Sequence, residues 1–462
     1  MSGIFGIVAK KNCAQDLFYL GDYHSHLGTQ FAGIAAWNHQ LIRKIHDISK
    51  SQFKAKIADD VKGLKANKAI GAIANEEQPV YVKSKFGDFC IVSNGWINNW
   101  EVLAGELLRK GHSFSEFSAP VMNITELFSK LIIQKSSLIK GIEYAFSRID
   151  GSLSVLILTK DGLYAVSDKA GVFPLIIGKK KNSRAVVTET TAFPNLGFEV
   201  ERYLAPGEIV LITESGTKEK GRAASHCRIC SFLWIYTGFP ASSYEGINVE
   251  VVREKSGRFL AKNDDIEPDF ACGVPDSGTA HAIGYAMEKN IPHRRPLVKY
   301  TPGYGRSYLP PSQSVRDLVA KMKLVPIKDI IKGSRIAICD DSIVRGTQLK
   351  NFTIAKLWKN EAKEIHVRVA CPPLMHPCRF NVSTRSIKEL AARRAIRALE
   401  GKDIADVSRY IDEGSSQHEK MVEWIRKDIG VTSLRYQKLY DMIAAIGISK
   451  DRLCTYCWTG KA

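Results

Sequence analysis

No stretch of this sequence stays apolar for anything near the ~20 residues that cross a bilayer, so no membrane-spanning helix is expected. The amino end, MSGIFGIVAKK, has its apolar residues ahead of its basic ones, the reverse of a secretion signal. No internal repeat and no low-complexity segment is visible. No G-x-x-x-x-G-K-[ST] occurs, which excludes a Walker-type phosphate loop. Basic residues outnumber acidic ones by 66 to 48, a net charge of +18. They form neither a tail nor an aromatic-interleaved patch, so nucleic acid is not the expected partner. Anionic substrates, or solubility alone, explain the charge as well. What is present is a soluble globular composition, 45% hydrophobic and 25% charged over 462 residues. That is enough chain for two or three domains, and it reads as a cytoplasmic protein.

The chemistry is densest in Arg335–Thr347, RIAICDDSIVRGT. A short apolar run ends abruptly at two acids, Asp340 and Asp341. A small-residue turn with Gly346 and Thr347 follows, then a helical pattern carried by Leu349, Ile354, Leu357 and Trp358. Strand, loop and helix in that order place the loop at the carboxyl edge of a parallel sheet, where open α/β folds bind ligands. Backbone N–H groups at the helix start suit a phosphate. The paired carboxylates suit the hydroxyls of a ribose, or a Mg²⁺ carried by pyrophosphate. An ordinary strand-to-helix turn with acids capping the helix is the plainer alternative.

This segment resembles the phosphoribosyl-pyrophosphate loop of type I phosphoribosyltransferases. Its SIVRGT ending resembles, more narrowly, the glutamine phosphoribosylpyrophosphate amidotransferases. By that resemblance Ser342, Ile343, Val344, Arg345, Gly346 and Thr347 would hold the 5′-phosphate, and Asp340 and Asp341 would orient the ribose and, with Ser277, the Mg²⁺. Upstream, an apolar strand (Phe270–Val274) enters a loop before a helix (Ala280–Glu288). There Asp276, Ser277 and Gly278 would take the pyrophosphate. Between the two loops, Lys299–Lys323 resembles the segment that closes over substrate in that family, with Lys299, Arg306, Arg316, Lys321 and Lys323 facing the anionic sugar.

The amino-terminal half reads as short strands, among them Gly3–Val8, Phe89–Val92, Leu153–Leu158, Gly162–Val166 and Leu175–Ile177. The polar, basic stretch Thr213–Ala224 reads as the boundary to the second half. His26–Ile34, Asn94-Gly95 with Asn98, and Pro206-Gly207-Glu208 resemble the family's N-terminal-nucleophile glutaminase. The resemblance therefore implies an α/β/β/α domain over 1–222, a phosphoribosyltransferase domain with a parallel sheet over 223–445, and a tail over 446–462 that carries a cysteine pair. Asn94 and Gly95 would form the oxyanion hole.

The departures bear on activity. Ser2 stands where the family has its nucleophilic cysteine, expected at the amino end after methionine removal. A hydroxyl needs a base to activate it, a role the α-amino group can fill. Leu27 replaces a family arginine, Gly71–Glu77 (GAIANEE) lacks another, and Ile124 replaces an acid. The charged groups that would hold glutamine by its α-carboxylate and α-amine are thus missing, which argues against efficient glutamine use and leaves ammonia as the nitrogen donor. Two alternatives stay open: a phosphoribosyltransferase acting on another nucleophile in a specialised pathway, and a non-catalytic sugar-phosphate-binding regulator.

Ten cysteines in such a chain are not expected to form disulfides. Cys227/Cys230 and Cys454/Cys457 have C-x-x-C spacing, which by itself suggests a four-thiolate zinc site or an iron–sulfur cluster. The resemblance implies a different set, Cys230, Cys378, Cys454 and Cys457, as ligands of a structural [4Fe–4S] cluster. Cys13, Cys90, Cys272, Cys339 and Cys371 read as small buried hydrophobes, and Trp96, Trp100 and Trp458 as core or junction residues. Arg385–Glu400 has helical periodicity with a basic face. A homo-oligomer, dimer or tetramer, is expected.

Overall fold

A computed structural model describes residues 2–118, 121–221, 227–262, 264–300, 324–381 and 386–461. The basic residues Arg306, Arg316, Lys321 and Lys323 lie outside that set.

The amino-terminal half is built on two antiparallel sheets. One has seven strands in the order Glu199–Tyr203, Ile176–Lys180, Ser183–Val187, Gly3–Ala9, Lys68–Ala74, Phe31–Asn38 and Gln40–Asp47. The other has six, from Gly216–Gly221 through Ile209–Thr213, Gly162–Ser167, Gly151–Thr159 and Phe89–Ile97 to Val80–Val82. Strand side chains alternate between faces, so each sheet buries two sets. Ile4, Val8, Ile70 and Ala72 of one sheet meet Val92, Leu156, Leu158 and Leu163 of the other. Phe5, Ile7 and Ile73 point the opposite way, onto helices Ala14–His24 and Phe53–Val61. Phe89, Ile91, Val155 and Ile157 pack on Trp100–Arg109, Ile124–Ile132 and Leu138–Arg148. Helix, sheet, sheet, helix is the layering that results. Gly216–Gly221 pairs with Ile209–Thr213 as the edge of a sheet, so much of the stretch read as a boundary belongs to this half.

The second half has a parallel four-stranded sheet in the order Phe270–Gly273, Arg335–Asp340, Glu364–Val369, Ser433–Tyr436. Its small residues Ala271, Ala337, Cys339 and Ala370 receive helices Val249–Lys262 and Thr279–Lys289 on one face. Ile336, Ile338, Ile365 and Val367 pack on the other face with Leu357, Ile396, Met421 and Ile425. The helix expected from Leu349 begins as a wide π turn, Leu349–Ile354, before Ala355–Lys359. The basic helix is regular only over Ala391–Glu400. One hydrophobic cluster runs from Phe5 through Trp234 to Ile338, so the halves share a core. The carboxyl end returns to the junction, where Leu453–Cys454 pairs in parallel with Ile229–Cys230. Trp458 is buried there and stacks on Phe232 at 4.9 Å. Among the described residues no helix is long and apolar enough to cross a membrane.

Candidate functional site

Strand Arg335–Asp340 is buried from Ile336 onward and delivers Asp340 and Asp341 to the sheet's carboxyl edge, 8% and 5% exposed. The Asp341 N–H donates to Asp340 Oδ1 (3.0 Å), Ser277 Oγ to the same oxygen (3.5 Å), and Ser342 Oγ to Asp341 Oδ1 (2.5 Å). Burial pushes both carboxyls up, and the neighbouring charge of Asp341 pushes Asp340 further. Among the described residues no Lys or Arg forms an ion pair with either acid. Two adjacent buried carboxylates with a hydroxyl beside them are a donor set that fits Mg²⁺ and a sugar diol.

The second loop meets the first through backbone. The Val274 N–H donates to Cys339 O (2.9 Å). A Cβ on Gly278 would lie 2.1 Å from that same carbonyl oxygen, so only glycine lets the loops approach this closely. Ser277, Gly278, Asp340 and Asp341 therefore converge, and the Pro275–Asp276 peptide is cis. Asp276 is turned outward, and Lys299 Nζ donates to its Oδ2 at 2.7 Å. Lys299 ends strand Leu297–Lys299, which pairs with Leu324–Pro326. In the Ser342–Thr347 turn, Gly346 takes φ +79°. The Ala391 N–H donates to Val344 O (2.8 Å), and Arg345 pairs with Glu389 (2.5 Å). Sequence reasoning missed Arg253, a buried mid-helix arginine that donates to Trp234 O (2.9 Å) and Gly238 O (2.8 Å). Its charge opposes the rise of the Asp341 carboxyl. No local pattern marks such a residue.

At the other site the Ser2 N–H donates to Asn94 Oδ1 (3.0 Å). Gly95 has φ +140°, and a Cβ there would meet Ser152 O at 1.9 Å. Ser2 and Asn94 line a cavity of about 10 Å³ with Leu27, Phe173, Pro174, Thr188, Leu233 and Tyr244, room for about one water. Leu27 and Ala74 are buried, and neither offers a charge. A group of polar residues in the same half bonds around Glu76. Glu76 accepts from the Ile124 N–H (2.9 Å), Thr125 Oγ1 (2.8 Å) and Gln78 Nε2 (3.0 Å). Gln78 in turn brackets Ser93, accepting from its N–H (2.8 Å) and donating to its carbonyl (3.1 Å). Burial raises the Glu76 carboxyl despite these bonds.

None of the ten cysteines is in a disulfide. Cys13, Cys90, Cys272, Cys339 and Cys371 are buried, as their apolar surroundings suggested. Cys230 and Cys454 are register partners on adjacent strands, while the Met375 and His376 N–H groups donate to Cys457 O (2.9 and 3.0 Å). The Cys378 thiol is lowered to about 7 by a hydrogen bond with Cys457, while burial and the charges of Cys454 and Cys378 push Cys230 well up. Cys227 feels none of these sulfurs among its main influences. Among the described residues no group of three or more His, Cys, Asp or Glu side chains is drawn in to metal-holding distance. Cys378 is thus tied to Cys457, and Cys230 lies beside Cys454.

A two-sheet N-terminal-nucleophile glutaminase layering joined to a parallel-sheet phosphoribosyltransferase defines the class. A glutamine amidotransferase domain model matches residues 66–195. The amidophosphoribosyltransferase of Methanocaldococcus jannaschii is 31% identical over 493 aligned residues, covering 100% of this chain and 97% of the relative. That of Bacillus subtilis is 30% identical, covering 99% and 93%. The solved structure of glutamine phosphoribosylpyrophosphate amidotransferase from B. subtilis, complexed with ADP and GMP, superposes with a TM-score of 0.84 at 29% identity, covering 99% of this chain and 96% of that one. The chain belongs to the amidophosphoribosyltransferase family, whose members are glycosyltransferase-type enzymes.

Proposed function

We propose that the chain displaces pyrophosphate from phosphoribosyl pyrophosphate with ammonia, giving phosphoribosylamine as in purine biosynthesis, and that it has lost efficient use of glutamine. The observation that carries this reading is the convergence of Ser277, Gly278, Asp340 and Asp341 at one sheet edge, with both acids buried and, among the described residues, neither in an ion pair with Lys or Arg. Asp340 and Asp341 would accept from the ribose hydroxyls, Asp276, Ser277 and Gly278 would take the pyrophosphate with Lys299 beside them, and Ser342–Thr347 the 5′-phosphate. Mg²⁺, held by Ser277, Asp340 and Asp341, would neutralise the departing pyrophosphate. The ammonia lone pair forms the bond to C1 as the C1–O bond breaks and pyrophosphate leaves with the electron pair. The new ammonium group then loses a proton. Arg306, Lys323 and the rest of the closing segment would keep water out.

Against glutamine stand the apolar Leu27 in the wall of the cavity at Ser2 and the room that cavity leaves, about one water. Asn94 and Gly95 would still form the oxyanion hole, so the loss would lie in anchoring the substrate. Units at 1–222, 223–445 and 446–462, a cytoplasmic location and a homo-oligomer complete the proposal. A [4Fe–4S] cluster on Cys230, Cys378, Cys454 and Cys457 would tie the tail to the junction.

The test is pyrophosphate release with glutamine and ammonium supplied separately. Ammonium should support turnover that rises with pH, and glutamine should not. Ser2→Cys alone should recover little glutamine use. Brisk glutamine-dependent turnover would sink the reading. Strong rescue by Ser2→Cys would mark the serine as an isolated change in a working glutaminase.

A further inference from the structure

Arg394, on the basic helix Ala391–Glu400, reaches the Ser342–Thr347 turn, where its Nη1 donates to Arg345 O at 3.0 Å. At the start of the same helix the Ala391 N–H donates to Val344 O (2.8 Å). Both peptides of the turn are trans, and a planar trans peptide points its C=O and N–H in opposite directions. The Arg345 and Gly346 N–H groups are therefore turned away from the helix. Among the described residues neither N–H has a protein acceptor. Gly346 takes φ +79°, which a glycine adopts freely. Successive N–H groups presented in this way form an anion-binding hollow.

Arg394 is held from behind. Its Nη2 donates to Asp428 Oδ2 at 2.5 Å, and its guanidinium lies 5.8 Å from the Trp424 ring centroid. Asp428 Oδ1 also accepts from Lys350 Nζ (3.0 Å), and the Lys350 N–H donates to Gly346 O (2.9 Å). Asp428 stands in the last turn of helix Ser416–Ile429, where the helix dipole disfavours a carboxylate. The two cations stabilise it there. Arg393 and Arg397 of the basic helix turn elsewhere, to Ile404 O (2.6 Å) and Asp403 Oδ1 (2.8 Å).

We propose that Arg394, braced by Asp428, is a positioning residue of the sugar site, which orients the Gly346 N–H toward the 5′-phosphate while Ala391 does the same for the Arg345 N–H. The proposal rests on the reading that Ser342–Thr347 takes that phosphate. Arg394 bonds a carbonyl and a carboxylate, so it acts on the phosphate through the backbone. Without it the Arg345–Gly346 peptide is freer to rotate, because glycine tolerates many conformations. The phosphate would then have to order its own donor on binding.

Ribose 5-phosphate and Mg²⁺-pyrophosphate probe the two ends of the sugar site separately. Calorimetry measures both in wild type, Arg394→Met, Arg394→Gln, Asp428→Ala and Arg397→Gln, with thermal unfolding of each variant. Arg394→Met should weaken ribose 5-phosphate about tenfold or more, the effect of one hydrogen bond to a charged group, and leave pyrophosphate affinity unchanged. Arg394→Gln keeps a donor for the Arg345 carbonyl and should recover most of the loss. Asp428→Ala should act in the same direction as Arg394→Met and add little to it in the double variant. Arg397→Gln should move neither probe. Loss of both probes in step with the melting temperature would make Arg394 merely structural and overturn the inference. So would a loss equal in Arg394→Gln and Arg394→Met that fades with salt, the mark of a charge effect. Saturating ribose 5-phosphate should also slow hydrogen exchange across residues 342–348 of wild type, and slow it less in Arg394→Met. Equal slowing in the two proteins would overturn the inference alone. No slowing in wild type, with phosphoribosyl pyrophosphate still bound, would overturn the placement of the phosphate and the inference with it.

Discussion

Replacing Asp340 and Asp341 together by Asn should abolish tight binding of Mg²⁺-phosphoribosyl pyrophosphate without unfolding the protein. The two carboxylates are 8% and 5% exposed, and both are pushed up by burial, with Asp340 raised further by its neighbour. Each loses a charge-assisted interaction worth about 1.5–3 kcal/mol, so the pair costs at least about 3 kcal/mol, or roughly two decades in affinity. The free protein should respond in the opposite direction. An Asn oxygen can still accept from the Asp341 position's N–H (3.0 Å) and from Ser277 (3.5 Å), while the repulsion between two buried charges is removed. Its melting temperature should therefore hold or rise. Titration calorimetry reads the first effect and thermal unfolding of the free protein the second. Unchanged affinity would mean that the sugar site lies elsewhere. A melting temperature several degrees lower, with binding lost in step, would mean that the acids are structural.

Gly278→Ala should raise the KM for phosphoribosyl pyrophosphate and cost about 1–3 kcal/mol of stability by denaturant unfolding, because the new Cβ would meet Cys339 O at 2.1 Å. Asp264 is buried against Arg368, whose Nη2 donates to its Oδ1 at 2.8 Å, so Asp264→Ala should lose about 3–5 kcal/mol by leaving that arginine unpaired. Burial would raise the Asp264 carboxyl, but Arg368 outweighs it and the folded value falls below the unfolded one. Its contribution is therefore complete above the unfolded value of about 3.9 and is lost as pH falls through the folded one, which acid-unfolding curves of wild type and variant should show. Protein purified without oxygen should be brown, with about four irons and four labile sulfides per chain. Cys378→Ser should lose the iron and Cys227→Ser should keep it; stoichiometric zinc without iron would favour the paired C-x-x-C set instead.

What the sequence determined by itself is what lies within a few residues of itself. Ile336–Cys339 followed by two acids and a small-residue turn is one strand, one loop and one helix start, so its place at a sheet edge was legible from local pattern alone. Val274–Gly278 was legible for the same reason, as were Cys90, Cys272 and Cys339 within apolar strands. The missing charges at Leu27 and Ile124 were visible because each departs from a recognisable run. Only the tertiary structure decided that Glu76, Gln78, Ser93 and Thr125 bond to one another, since separate strands and helices bring them together. It also decided that Gly216–Gly221 is a sheet edge, because strand pairing there outweighs a polar, basic composition. The contact of Gly278 with Cys339 and the approach of Ser277 to Asp340 each join groups tens of residues apart. Such pairings leave no period or spacing in the chain, because a hydrogen bond depends on distance in space, and only the packed core brings these groups within reach.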